Sequence, residues 1–265
     1  MKVLFLGYGH MGGALGEAWK RSGLAAQVLA VDPASTSDQP DRYPSVDALV
    51  AAGAADGIGL IVLAVKPAKA LDALRALPPA VLAGAAVVSI AAGVPIAALS
   101  SVLPAGTPVV RAMPNTPVIL DAGCTGLFAG ATVDAALRAS VDRLFATVGS
   151  AHWVDAEPLL DAVTALSGSG PAYYHLFSEA LAAAGVALGL DAALARKLAA
   201  GTAWGAAALQ HAPGADFAAL RQAVTSPNGT TAAAIAVFEE EGALRTLIER
   251  AALAARDRAV ELSTS

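Results

Sequence analysis

The sequence predicts an α/β fold: a doubly wound, mainly parallel sheet in the first half, followed by an all-helical C-terminal domain. Three observations carry that prediction. Short apolar runs alternate with helix-like segments through the first half, the rhythm that successive βαβ units produce. A glycine-spaced turn, Gly7-Tyr8-Gly9-His10-Met11-Gly12, joins the first apolar run to the first helix. Beyond Glu157 the strand-like runs stop, and alanine- and leucine-rich segments continue to the end of the 265 residues.

The elements follow in order. Val3-Leu4-Phe5-Leu6 is an apolar run stopped by glycine; residues 10–21 read as a helix and 28–31 as the next strand. Strands over 58–65, 85–90 and 108–112 alternate with helices near 46–52, 68–77 and 96–103. Apolar runs this short suit strands covered on both faces. Residues 123–129, a helix near 133–148 and residues 152–154 read as additions at the sheet edge. In the helical half, Pro171 suits a first turn, Gly189 a helix stop, Asp191 a cap, and Gly242 a break between the last two helices. The change of pattern divides the chain into domains 1–156 and 157–265, without a low-complexity linker to sharpen the boundary.

Composition narrows the partners. Hydrophobic residues make up 56% and charged residues 15%, with a mean hydropathy of +0.59. Gly, Pro or charge breaks every apolar run well before bilayer-spanning length, so the surplus apolar area is expected at an oligomer interface, most naturally on the alanine-rich helices. A net charge of −5 with scattered cations argues against nucleic acid or an anionic membrane, which leaves small molecules. The single cysteine, Cys124, excludes an internal disulfide and no metal-ligand set accompanies it, so no metal is expected. The run at 3–6 is too short for a signal-peptide core, and a cytoplasmic location is expected.

The glycine turn has the G-x-G-x-x-G spacing of a Rossmann-type dinucleotide site, in the required place between a strand and a helix. Gly7 permits the tight turn, Gly9 lets backbone approach a pyrophosphate, and Gly12 lets helix and strand pack closely, with His10 and Met11 opening the helix beside the phosphates. Asp32 follows the second strand where a residue contacting the adenosine ribose is expected. A carboxylate there accepts hydrogen bonds from a free 2′-hydroxyl and repels a 2′-phosphate, which leans towards NADH; Asp32 can equally be an Asp-Pro turn opener. Ser35-Thr36-Ser37 and Arg42 supply groups that could hold a phosphate instead.

Two corners follow buried strands: Ala64-Val65-Lys66-Pro67 and Met113-Pro114-Asn115-Thr116-Pro117. In open α/β sheets both would point into the ligand crevice, although each could be a plain rigid loop. Ser167-Gly168-Ser169-Gly170-Pro171-Ala172-Tyr173 brings small residues to a helix start, where a ligand could come close or a hinge could lie. Ser226-Pro227-Asn228-Gly229-Thr230-Thr231 combines a preset proline angle, two residues that tolerate left-handed angles and a threonine-led helix. It is either an anion-holding turn or an ordinary capped turn.

Together these motifs resemble pyrroline-5-carboxylate reductase: the fingerprint at 7–12, the Ala-Val-Lys-Pro corner, Met113 to Pro117, Ser167 to Tyr173, and Val224 to Thr231 occur in that family's order and span nearly the whole chain. The resemblance implies reduction of (S)-1-pyrroline-5-carboxylate to L-proline by NAD(P)H, and a helical domain that joins two subunits, sometimes built into a ring of dimers. It implies cofactor contacts at Gly7, Gly9, His10, Met11, Gly12, Asp32, Ala64, Val65, Lys66, Pro67, Asn115 and Ser169. It implies a substrate carboxylate held around Ser226, Asn228, Gly229 and Thr230, with the catalytic contact to the ring nitrogen from the Thr231 hydroxyl. Asn228 replaces a glycine common in the family, and Asp32 departs from its usual readiness for NADPH.

Three other functions are rivals to that reading. A 3-hydroxyacid or 6-phosphogluconate type of dehydrogenase needs a helical lysine with an asparagine one turn later, but Gly201 follows Lys197. A reductase of six-membered imine acids is a rival that the sequence does not exclude. A non-catalytic nucleotide-binding regulator would be expected to have lost Ser226, Gly229, Thr230 and Thr231.

Overall fold

The computed structural model describes residues 1–36 and 39–264. The chain divides into two compact units, Met1–Ser169 together with the chain from Ala255 onward, and Gly170–Ala254. The sequence pattern places its boundary at residue 157, whereas the contacts place it at Ser169, because the segment after Glu157 packs on the sheet: Val163 lies against Gly126, where an added Cβ would come within 2.6 Å of it.

Unit 1 is built on an eight-stranded sheet of β1 (Lys2–Leu6), β2 (Gln27–Val31), β3 (Arg42–Tyr43), β4 (Leu60–Leu63), β5 (Ala86–Ser89), β6 (Val109–Met113), β7 (Gly123–Ala129) and β8 (Gly149–Trp153). The order is β3-β2-β1-β4-β5-β6-β7-β8, and every pair is parallel except β6 with β7. Leu6 pairs with both Val31 and Leu63. These three adjacent strands therefore end level, and Gly7, Asp32 and Ala64 emerge side by side.

Strand alternation sorts the side chains onto two faces. Val3 and Phe5 join α1 (His10–Arg21) in one core, while Leu4 and Leu6 join α2 (Val46–Ala51), α3 (Ala70–Arg75), α4 (Pro79–Leu82) and α5 (Ile96–Ser100) in the other. The first core is closed by α6 (Ala135–Ala146), whose Phe145 meets the Trp19 ring at 5.5 Å; Phe5 lies at the same distance on another side of Trp19. Each such fully buried side chain contributes about 1.5–3 kcal/mol. The elements expected from sequence are present within a few residues. The two-residue strand β3 and the single turn α4 had no apolar run or periodicity long enough to announce them.

A short helix, α7 (Leu159–Val163), and a π-helical turn, Thr164–Gly168, complete unit 1 before α8 (Gly170–Ala187) begins unit 2. Unit 2 continues with α9 (Ala192–Gln210), α10 (Phe217–Ala223), α11 (Thr230–Glu239) and the start of α12 (Ala243–Thr264). Its stops and caps are those that the sequence suggests. Gly189 ends the first helix at φ +98°, Asp191 accepts from the amides of Ala193 and Leu194, and Gly242 at φ +71° separates the last two helices. Among its described residues only Gly170, Ala195 and Ala199 are buried, whereas Leu188, Trp204 and Leu176 are 87%, 74% and 65% exposed. Unit 2 thus has helices without a core of its own.

Candidate active site

The fingerprint turn fits a dinucleotide. Gly7 takes φ +86°, and a Cβ there would stand 2.8 Å from the Ala64 carbonyl oxygen; a Cβ on Gly12 would stand 2.8 Å from the Gly7 carbonyl oxygen. Above Gly9 a Cβ would meet nothing within 4 Å. Gly9 caps α1 without any side-chain hydrogen bond, no acidic residue sits in the first turn, and the first backbone bond runs from Gly13 N to Gly9 O at 2.8 Å. The amides of His10, Met11 and Gly12 therefore remain as donors at the positive end of the helix, with open space before them. That is the electrostatic requirement for a pyrophosphate.

Asp32 is tied to this turn. Its Oδ2 accepts from the Tyr8 amide at 2.6 Å and its Oδ1 from the Ala34 amide at 2.9 Å. The second bond is that of an Asp-Pro turn, so the turn-opening reading of Asp32 holds, and the first fixes its carboxylate beside the fingerprint. Ser35 is half-buried and Thr36 exposed, while Ser37 lies outside the described residues.

Arg42, considered from sequence as a phosphate partner, lies elsewhere. Its guanidinium carbon stands 3.5 Å from the centroid of the Tyr8 ring, and Nη2 pairs with Glu17 Oε1 at 2.8 Å. The Tyr8 hydroxyl also donates to Glu17, at 3.1 Å. The ring lies against α1 at Gly16, where a side chain would collide with it. Burial pushes the Tyr8 phenol up to about 12, against the opposing pull of Arg42. Sequence reasoning missed this group of Tyr8, Glu17 and Arg42. Small residues at 13 and 16 on the helix face behind an aromatic fingerprint residue were the available signal.

Ala64 and Val65 continue from β4 beside Gly7, and Lys66 is exposed as the cap of a 3₁₀ turn, Pro67–Lys69. The Asn115 side chain is committed to the chain itself. Its Oδ1 accepts from the Cys124 amide at 2.8 Å, and its Nδ2 donates to the carbonyl and hydroxyl of Ser167 at 3.1 and 3.2 Å. The side chain expected at the cofactor thus also joins the end of β6 to the π-helical turn. Ser169 follows that turn, its amide bonded to Thr164 O at 2.8 Å. Two residues before Met113 on the same strand, Arg111 is 7% exposed and pairs with Glu157 at 2.9 Å.

The second signature lies in unit 2. Gly229 N donates to Ser226 O at 3.0 Å, with Pro227 in the second position and Asn228 at φ +60° in the third, as a type II turn requires. Asn228 alone is left-handed. Gly229, which also tolerates that conformation, is extended at φ −83° and ψ 172° because it caps α11. It offers no side-chain acceptor, α11 has no acid in its first turn, and the first helical bond is from Ala233 N to Gly229 O. The amides of Thr230, Thr231 and Ala232 are left as donors. Thr230 is exposed and Thr231 half-buried. A groove of about 550 Å³ between α8 and α9, with His175, Glu179 and Arg196 on its walls, contains none of the expected site residues. Among the described residues no group of three or more His, Cys, Asp or Glu could hold a metal ion.

Comparison with known proteins gives two family matches: pyrroline-5-carboxylate reductase dimerisation over residues 157–262, and NADP oxidoreductase coenzyme F420-dependent over residues 2–93. The chain is 41% identical to a pyrroline-5-carboxylate reductase of Pseudomonas aeruginosa, covering 99% of this chain and 97% of that protein. It is 40% identical to that of Corynebacterium melassecola, with 98% of each covered. Among solved structures, a pyrroline-5-carboxylate reductase of Coxiella burnetii aligns with a TM-score of 0.89 at 34% identity, over 100% of this chain and 99% of that one. That of Plasmodium falciparum, with NADP bound, aligns at 0.85 and 27% identity, over 99% and 98%. With a fingerprint turn shaped for a dinucleotide, an uncapped turn at 226–231 and relatives of this similarity along its whole length, the chain belongs to the pyrroline-5-carboxylate reductase family.

Proposed function

We propose that this protein reduces (S)-1-pyrroline-5-carboxylate to L-proline at the expense of NAD(P)H, the last step of proline synthesis. The observation that carries this reading is the uncapped start of α11 behind the Ser226–Asn228 turn. Backbone donors without acceptors, at the positive end of a helix, suit a small carboxylate. The hydroxyls of Ser226 and Thr230 and the free amides that follow Gly229 hold the substrate carboxylate, with Asn228 and Gly229 shaping the turn. The Thr231 hydroxyl hydrogen-bonds the ring nitrogen as it becomes an amine. The nicotinamide of the bound cofactor supplies the hydride. The amides of His10, Met11 and Gly12 hold the pyrophosphate, the loops at Asp32 and Ala64 to Pro67 the nucleoside ends, and the turn at Ser169 borders the cofactor.

The cyclic imine can arrive already protonated, so the protein need not supply a strong acid. Holding one ring face in register is the larger contribution. We place the enzyme in the cytoplasm as a homodimer joined through its helical domain, with a ring of dimers as the higher assembly. Unit 2 supports the dimer by its exposed apolar faces.

The test is oxidation of NADH and NADPH, followed by absorbance, with five- and six-membered imine acids. Turnover of the five-membered imine is expected; turnover of neither imine with either cofactor would sink the reductase reading, and a preference for the six-membered ring would correct its substrate. Thr231→Ala should lower kcat/KM on the order of a hundredfold while cofactor binding is kept. Unchanged turnover would remove Thr231 from the site.

A further inference from the structure

We propose that Glu17 sets the cofactor preference: by holding Arg42 against the Tyr8 ring it keeps that cation from the adenosine 2′ position, where Asp32 then receives a free 2′-hydroxyl, and the enzyme favours NADH over NADPH. The inference rests on the reductase reading above and names a specificity determinant within it.

Asp32 is a prepositioned acceptor. Both carboxylate oxygens are aligned by backbone amides, Tyr8 at 2.6 Å and Ala34 at 2.9 Å, at the end of the second strand, where the adenosine ribose of a dinucleotide lies. A carboxylate fixed there bonds a ribose diol and repels a phosphate dianion. A site for a 2′-phosphate needs a cation to offset that repulsion, preferably a guanidinium with its paired donors. Between residues 32 and 44 the sequence supplies one cationic residue, Arg42.

Arg42 is turned to another use. Its side chain is 16% exposed, its face is on the Tyr8 ring and its Nη2 is on Glu17. Its Nη1 is buried with no hydrogen-bond partner among the described residues. Among the described residues the stack thus leaves part of the guanidinium's capacity unused, and its single ionic tether is Glu17, itself 51% exposed. Tyr8 joins the two charges: its amide holds Asp32 and its ring carries Arg42. Arg42 opens β3, whose Tyr43 carbonyl accepts from the Asp32 amide at 2.9 Å, so a long side chain freed from Glu17 starts one strand away from that carboxylate.

Titration of the free enzyme with each cofactor, by calorimetry, tests this without turnover. NADH is expected to bind about tenfold more tightly than NADPH. Glu17→Gln should lower the ratio of the two Kd values about fivefold by tightening NADPH, and the double variant Glu17→Gln with Arg42→Ala should lose that gain. A simple loosening of the turn would move both cofactors together and leave the ratio unchanged. Preference for NADPH in the unmodified enzyme, an unchanged ratio in Glu17→Gln, or a gain that survives loss of Arg42 would each overturn the proposal. Absence of imine reduction with both cofactors would instead overturn the reductase reading, and the Kd ratio would still decide this one.

Discussion

Asn228 is left-handed at φ +60° between a proline and an extended glycine. Sequence alone shows that both Asn228 and Gly229 tolerate this conformation but not which one adopts it. The choice falls to Asn228 because the next residue must be extended to start α11. Asn228→Gly should therefore leave stability within a few tenths of a kcal/mol, and Asn228→Val should cost about 1–2 kcal/mol and raise KM for the imine through the displaced amides. Urea unfolding beside steady-state kinetics checks both; an unperturbed valine variant would mean that the turn is slack. At the fingerprint, Tyr8 is pushed by burial to about 12 from an ordinary value of 10.0. The folded state thus holds the phenolic proton more tightly than the unfolded one. The resulting stability is intact below about pH 10 and is lost as pH rises through about 12. Ultraviolet titration of Tyr8→Phe should lack the most alkaline tyrosinate step of the unmodified protein; loss of an earlier step would place the Tyr8 phenol in water.

At the scale of elements, β1, β2 and β4 were legible because buried parallel strands leave continuous apolar runs, and α8, α9, α11 and α12 because glycine, proline and aspartate mark their ends, whereas α10 was not separated from its neighbours. Pairings across the sequence were not legible. Glu157 reads as the first residue of the helical half, yet its Oε1 accepts from Arg111 on β6 at 2.9 Å and from the Ile96 amide that opens α5 at 2.7 Å. One carboxylate thereby joins two elements and the chain leading to α7. Removing it strands a guanidinium that is 7% exposed, an arrangement that typically costs about 3–5 kcal/mol. Glu157→Ala should lose about 3 kcal/mol in chemical denaturation, and adding Arg111→Met should recover part of that loss, since an apolar pair of similar volume needs no partner. A single-variant loss below about 1 kcal/mol would class the pair with exposed ion pairs. The Asn115 contacts with Cys124 and Ser167 were hidden for the same reason: spacing places a polar residue after a strand, but whether it turns to ligand or to chain depends on what the fold brings beside it.

For the whole molecule, the feature to explain is a composition with 56% hydrophobic residues in a protein whose described helices include none long and apolar enough to cross a membrane. The two faces of the sheet absorb part of that surplus, and unit 2 leaves the rest in water: Tyr174, Leu176, Trp204, Phe217 and Val237 are each more than half exposed. Helices so placed cannot balance their conformational entropy without a partner, so unit 2 should be folded only in the oligomer and its unfolding should follow mass action. If dissociation and unfolding of a dimer are one event, tenfold dilution costs about 1.4 kcal/mol, which lowers Tm by roughly 2–4 °C for a chain of this size. Trp204→Glu, on a side chain 74% exposed in the single chain, should steepen that dependence and shift the protein towards monomer in sedimentation, because burying a carboxylate at an interface is far costlier than burying an indole. A Tm independent of concentration, with Trp204→Glu sedimenting like the parent, would mean that the apolar faces of unit 2 are covered within one chain.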